Sequence, residues 1–198
     1  MVTSLILTTH RRPDGAVRVI KELVRTCWKR WDEIELIVVG HEEGDIPSMM
    51  APEFRRMVNE DGKGCARSVH YGAVRAKGDW FVWLADDHEY PDAEWFEKFL
   101  AYRAENPGMK VIAFSSGMGG MDYASIGAAE RKWYLEHYPE PVYEHYGWDN
   151  EIQGLAVKEG VFGGAYHILI QDTPGFPIQE FKDRDAPLWE KRRAEFGV

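Results

Sequence analysis

An α/β architecture, a three-layer α/β/α sandwich around a mostly parallel mixed sheet, is what this chain predicts. Short apolar runs alternate with stretches of helical periodicity through its first half. Those runs are apolar on both faces, as strands are when helices cover both sides of a sheet. The length of 198 residues, 44% of them hydrophobic, suffices for one domain with a substantial core.

The elements follow in order. Residues 4–9 are β-rich and are broken by the polar His10-Arg11-Arg12-Pro13-Asp14-Gly15. Residues 16–31 carry Val17, Ile20, Leu23, Val24 and Cys27 at helical spacing. A strand over 34–39, an acidic loop over 40–47 and a short helix over 52–58 come next, then a glycine turn over 61–64. Residues 65–76 read as a helix closed by Gly78, and 79–85 as an apolar strand. Pro91-Asp92 opens a helix ending near Asn106-Pro107-Gly108, and 110–115 is a strand. Ser116-Gly117-Met118-Gly119-Gly120-Met121 is too glycine-rich for regular structure. Helices over 130–137 and 150–159, a strand within 160–170 and a proline-containing tail with a charged helix complete the chain.

The formal charge of −9 argues against a broad phosphate-tracking surface for nucleic acid. Cys27 and Cys65 form no CxxC or Cys/His cluster, so neither structural zinc nor a disulfide framework is expected, and a reducing, cytoplasmic setting fits. After Met1 the chain enters a strand directly, without a charged region and apolar core of a leader, and no apolar run approaches membrane-spanning length.

Four constellations carry candidate chemistry. The strand Asp79-Trp80-Phe81-Val82-Trp83-Leu84-Ala85 runs into Asp86-Asp87, which places paired carboxylates at the lip of a sheet, where a divalent cation relieves their repulsion. In Trp148-Asp149-Asn150-Glu151-Ile152-Gln153 the spacing of Asn150 and Gln153 suits a capping box, which releases Asp149 towards a cleft as a general base. His167, in a late strand, is a residue type that ligates borderline metals. Arg11, Arg12, Lys63 and Arg67 lie near strand ends where a diphosphate fits, but Gly62-Lys63-Gly64 lacks the full P-loop pattern.

These pieces, in this order, resemble the family-two glycosyltransferases, which have the Rossmann-like GT-A fold. Leu5-Ile6-Leu7-Thr8-Thr9-His10-Arg11-Arg12-Pro13 resembles that family's first strand and T-Y-N-R-P turn. Gly62-Lys63-Gly64-Cys65-Ala66-Arg67-Ser68 is similar to its G-x-x-x-A-R-N segment, and residues 78–87 to its G-D-Y-I-x-F-L-D-x-D strand. Residues 147–152 resemble its acceptor-side E-D-x-[DE]-L helix, and His167 matches a late-strand histidine that ligates metal in some members. The resemblance spans roughly residues 4–170. Ala85 stands at the first Asp of the usual DxD, Gly40 at a nucleoside-binding Asp, Ser68 at an Asn and Trp148 at the Glu before Asp149.

The resemblance implies a single domain over 1–198, with a nucleotide-binding half (1–90), an acceptor half (91–170) and a tail (171–198). It implies inverting transfer of a sugar, a UDP-sugar foremost, from a nucleotide-diphosphate donor to an acceptor hydroxyl. Asp87 and His167 would hold Mn²⁺ or Mg²⁺. Thr9, Arg12, Glu42, Lys63, Arg67 and Asp86 would contact the nucleotide. Asp149 would be the base, with Glu151 the second choice, and residues 117–123 would close over the substrates. The acceptor stays open among a glycan, a small molecule, a protein and a modified nucleic acid, and a homodimer is compatible. Two rivals stand beside this: a nucleotidyltransferase, and a catalytically inactive sugar- or nucleotide-binding module on the same scaffold.

Overall fold

The computed structural model describes residues 2–48, 53–60, 62, 64–117, 124–172 and 179–196. Lys63 and residues 118–123 of the expected closing loop lie outside this set. A seven-stranded sheet forms the middle layer, in the order β3-β2-β1-β4-β7-β6-β8. Its strands are β1 (Thr3–Thr9), β2 (Ile34–Gly40), β3 (Arg55–Val58), β4 (Trp80–Ala85), β6 (Val111–Ser115), β7 (Gly127–Glu130) and β8 (Phe162–Leu169). A second, two-stranded ribbon pairs β5 (His88–Glu89) with β9 (Gln171–Asp172).

Two cores flank the sheet, and the strand alternation assigns residues to each. Leu5, Leu7, Val82 and Leu84 face α1 (Pro13–Cys27) and α3 (Trp95–Glu105), where Val19, Ile20, Leu23, Phe96 and Phe99 complete the packing. Ile6, Ile37, Phe81 and Trp83 face the opposite layer of α2 (Cys65–Arg75), α4 (Arg131–His137) and α5 (Trp148–Lys158). The expected three-layer sandwich is therefore present, with β1 and β4 covered on both sides.

Four local expectations differ. The helix over 16–31 stops at Cys27 and tightens into a 3₁₀ turn, Trp28–Glu33. The helix opened by Pro91 begins later, at Trp95. Residues 52–58, expected as a short helix, instead hold β3, because pairing with the free edge of β2 overrides the local preference of so short a segment. No strand was expected at β7, whose Gly127-Ala128-Ala129 carries none of the branched residues that mark strands. Its small residues answer to space: a Cβ on Gly127 would lie 2.5 Å from the Ile112 carbonyl oxygen and 2.8 Å from the Trp83 ring.

Two further features position the site. In β8 the register with β6 is regular up to Phe114 opposite Ala165, but Ser115 is opposite Leu169, so Tyr166, His167 and Ile168 form a bulge. The C-terminal helix α6 (Gln179–Phe196) docks on α5. Arg192 grips the buried Glu151 with two bonds, 2.8 Å from Nε and 2.5 Å from Nη2, and the Tyr143 hydroxyl donates to the same carboxylate at 2.6 Å.

Removing one partner of this pair leaves a buried charge uncompensated. Arg192→Met is expected to destabilise the fold by about 3–5 kcal/mol, and adding Glu151→Leu to recover most of that loss. Equilibrium urea unfolding of the two variants decides it, and a cost below about 1 kcal/mol for the single change would rank the pair with surface ion pairs.

Candidate active site

Six of the seven strands of the main sheet run in one direction, and β7 alone opposes them. The carboxyl ends of β1, β2, β4 and β8 therefore share one edge. The chain leaves β1 outward to β2 and β3, then returns to β4 on the other side of β1. That reversal opens a crevice between β1 and β4, the place where open α/β sheets bind ligands.

Asp86 closes the floor of the crevice. It is 6% exposed. It accepts the Thr9 hydroxyl at 2.9 Å and the His10 N–H at 3.3 Å, both on Oδ2. The Arg12 guanidinium reaches Asp86 Oδ1 and Asp87 Oδ2, at 3.1 Å each. Burial raises the Asp86 carboxyl, and Thr9 and Arg12 work against that rise. Thr9, Arg12 and Asp86, expected to contact nucleotide, are thus bonded to one another. Asp86 serves as a cross-strand tie, since its oxygens are already engaged.

Asp87 faces outward and meets a residue the sequence did not single out. The β5–β9 ribbon sets His88 opposite Asp172, and donor atoms of Asp87, His88 and Asp172 lie within 4.8 Å of one another. Burial raises the Asp172 carboxyl, and the negative charge of Asp87 raises it further, which is the repulsion a cation would relieve. The buried His88 is pushed down to about 4, so its ring is neutral. Its Nδ1 accepts the Ala85 N–H at 3.2 Å, which leaves the ring proton on Nε2. The two carboxylates, hard oxygen donors, therefore fit Mg²⁺ or Mn²⁺, with the imidazole beside them.

His167 does not join this group. The β8 bulge turns it to the surface, where its ring lies 6.0 Å from that of Tyr102 on α3. His167, expected as a metal ligand, therefore stands outside the group, and Asp172 stands within it. A signal was present in the chain: the apolar run ending at Ile170 leads into acid at Asp172, as β4 leads into Asp86.

At the β2 end, His10, His41 and Asp45 also gather, with the two rings 4.3 Å apart. This donor set is already spent. Asp45 accepts the backbone N–H groups of Arg11 at 2.5 Å, His41 at 2.9 Å and Glu42 at 3.2 Å, and His41 Nε2 accepts the Gly64 N–H at 3.1 Å. Burial alone would raise the Asp45 carboxyl, but these bonds outweigh it and hold it below its ordinary value. The bond to Arg11 also secures the one positive φ, 56°, of a non-glycine residue among those described. Glu42, expected at the nucleoside, turns its carboxylate back onto its own 3₁₀ turn in a capping box. Arg67 packs its guanidinium against Gly62.

The side expected to take the acceptor is built on α5. Its cap is Gly147, at φ +88°, so Asn150 lies inside the first turn and caps nothing. Asp149 is half-buried in that turn, and burial raises its carboxyl. Glu151 is corrected from candidate base to structural anion, because Tyr143 and Arg192 occupy its oxygens. Cys65 connects the two sides. Its thiol lies 3.6 Å from the Thr8 hydroxyl, is pushed up to about 12 mainly by burial, and feels the charges of Asp149, Asp87 and Asp86. His145 stands beside it, accepting the Cys65 N–H on Nδ1 at 3.4 Å.

Comparison with known proteins agrees with this geometry. No curated protein matches the chain. Glucosyl-3-phosphoglycerate synthase from Mycobacterium tuberculosis, solved with Mn²⁺, UDP-glucose and phosphoglyceric acid, superimposes with a TM-score of 0.73 at 12% identity, covering 100% of this chain and 80% of that one. Staphylococcus aureus TarS gives 0.67 at 11% identity over 92% of this chain and 38% of its own. The mannosyltransferase PcManGT from Pyrobaculum calidifontis, solved with GDP-Man and Mn²⁺, gives 0.65 at 13% identity over 98% and 61%. At such identities these likenesses are likenesses of fold, and they establish the architecture as GT-A. The sequence model of glycosyl transferase family 2 matches residues 4–156, most of the chain, and with the crevice just described it places this protein among the glycosyltransferases of family 2.

Proposed function

We infer that this glycosyltransferase moves a sugar from a nucleoside-diphosphate donor, a UDP-sugar foremost, to an acceptor hydroxyl with inversion at the anomeric carbon. The observation that carries this is the grouping of Asp87 with Asp172 beyond the end of β4, with Asp149 near enough to act, together with Asp87, on the Cys65 thiol. The synthase noted above binds UDP-glucose with Mn²⁺, which supports the same donor class here.

Asp87 and Asp172 would hold Mn²⁺ or Mg²⁺, which when bound neutralises the charge developing on the leaving diphosphate. Arg12 keeps the Asp86–Asp87 pair from repelling itself apart while the crevice is empty of substrate. Asp149 accepts the acceptor's hydroxyl proton on a carboxylate oxygen as the hydroxyl oxygen bonds to the anomeric carbon, from the face opposite the departing diphosphate. Its raised pKa makes it, once ionised, a stronger base than a solvated aspartate. Cys65 stays a protonated thiol and takes no part in nucleophilic chemistry.

Two predictions follow from these roles. UDP with Mn²⁺ should raise the melting temperature of the wild type, by mass action equivalent to about 2.7 kcal/mol at a hundredfold excess over Kd. Asp87→Ala and Asp172→Ala should each abolish the Mn²⁺-dependent part of that shift, while His167→Ala keeps it. The reverse pattern would return the ligand role to His167.

Asp149→Asn should lower kcat by about 10²–10⁴-fold. A carboxyl raised in the fold adds stability only at low pH and loses it as pH rises through its folded value, so once ionised Asp149 is a burden on the fold. The Asn variant should therefore melt at or above the wild-type temperature. The acid limb of kcat/KM should titrate above the ordinary 3.8 in the wild type and vanish in the variant. A clear fall in melting temperature with retained turnover would make Asp149 a structural residue.

A further inference from the structure

The helix α6 lies beyond the family match, which ends at residue 156, yet it reaches the active site through one loop. Asp185, Leu188, Trp189 and Arg192 recur at helical spacing and form its docking face. Leu188 and Trp189 pack on the core beneath α2 and α5. A Cβ on Gly147 would lie 3.1 Å from Trp189 Cβ, so the start of α5 is seated directly on this helix. Asp185 is 3% exposed, and its carboxylate sits in the concave backbone of three consecutive residues. It accepts the N–H of Glu144 at 3.4 Å, of His145 at 2.8 Å and of Tyr146 at 2.9 Å.

The far side of that loop holds both helix starts that border the crevice. The Glu144 carbonyl accepts the Ala66 N–H at 3.1 Å, and His145 Nδ1 accepts the Cys65 N–H, which fixes the first turn of α2. A Cβ on Gly64 would collide with that same Glu144 carbonyl, so loop and helix are in backbone contact. Three residues on from Tyr146, the chain has turned through Gly147 and presents Asp149. A carboxylate buried for stability alone needs no such placement. This one clamps the segment that bonds to the start of α2 and leads into α5.

We propose that Asp185 is a positioning residue for sugar transfer: through the backbone of residues 144–146 it fixes where α5 begins, and with it the Asp149 carboxylate relative to the donor. This rests on Asp149 being the base. In Asp185→Asn the amide nitrogen would face the Glu144 N–H, so the clamp loses its fit while α6 keeps its size and apolar contacts. Arg193→Ala, on an exposed Arg193–Glu190 pair of the same helix, is the control.

The test uses the full chain with Mn²⁺ and UDP-glucose, reading UDP release, beside hydrogen exchange of the peptide spanning 143–151. Asp185→Asn should lower kcat by about tenfold to a hundredfold, with KM for UDP-glucose changed less than about threefold. Exchange should quicken across 143–151, and Arg193→Ala should match the wild type in both. Equal kcat and exchange in Asp185→Asn and Arg193→Ala overturns the proposal, as does a loss carried by KM alone. Should Asp185→Asn fail to fold, Asp185→Glu, which keeps the charge but lengthens the arm, should show the same split, and wild-type kcat in it is equally fatal. If the wild type turns over no nucleoside-diphosphate sugar, the proposed function fails on its own, and exchange decides for Asp185: quickening confined to α6 rejects it.

Discussion

The tie between the first and fourth strands is the constraint on which the site depends. The crevice at the reversal of strand order is useful only if its two walls keep a fixed spacing. Asp86 supplies that spacing by accepting from Thr9 and His10 across the gap, and Arg12 extends it to Asp87. A buried carboxylate is costly unless its oxygens are satisfied, and here the hydroxyl, the amide and the guanidinium all come from the opposite wall. Desolvation and bonding thus make the β1–β4 junction rigid and leave Asp87 facing the opening. The same solution recurs at β2, where Asp45 gathers the N–H groups of Arg11, His41 and Glu42 and shapes the next stretch of the rim.

Anions divide into two kinds in this molecule. Asp45, Asp86, Glu151 and Asp185 are buried and bonded, and each organises backbone or closes a helix contact. Asp87, Asp149 and Asp172 are only half-buried. The carboxyls of Asp149 and Asp172 are raised by burial, as suits groups that await a proton or a cation. In the proposed function the charge of −9 is no obstacle to a diphosphate, because Asp87 and Asp172 are acids that a divalent cation would neutralise.

Much of this was legible in the sequence. The apolar run from Trp80 to Leu84 ending in Asp86 and Asp87 located the lip, because a buried strand needs no polar residue until it emerges. The place of Asp149 at a helix start was legible as well. What escaped had physical reasons. β7 carries small residues to clear Ile112 and Trp83, and small residues do not announce strands. Glu42 and Glu151 looked like free acids in one dimension, but a capping turn and the distant Arg192 claim them in three. Asp185 belongs to a charged helix whose docking face appears only once Gly147 and Glu151 are folded beneath it.

The bulge in β8 acts as a ruler. A strand advances about 3.3 Å per residue, so taking Tyr166, His167 and Ile168 out of register withdraws everything after them by about 10 Å. Asp172 thereby arrives opposite His88, where a regular strand would have carried it past the rim. Among chains of this architecture, the identity of the ligand at this corner would then be governed by insertion and deletion in one strand more than by substitution at one column. An alignment that keeps the strand ungapped would pair the wrong residues at this corner, because three positions of this strand stand outside the ladder.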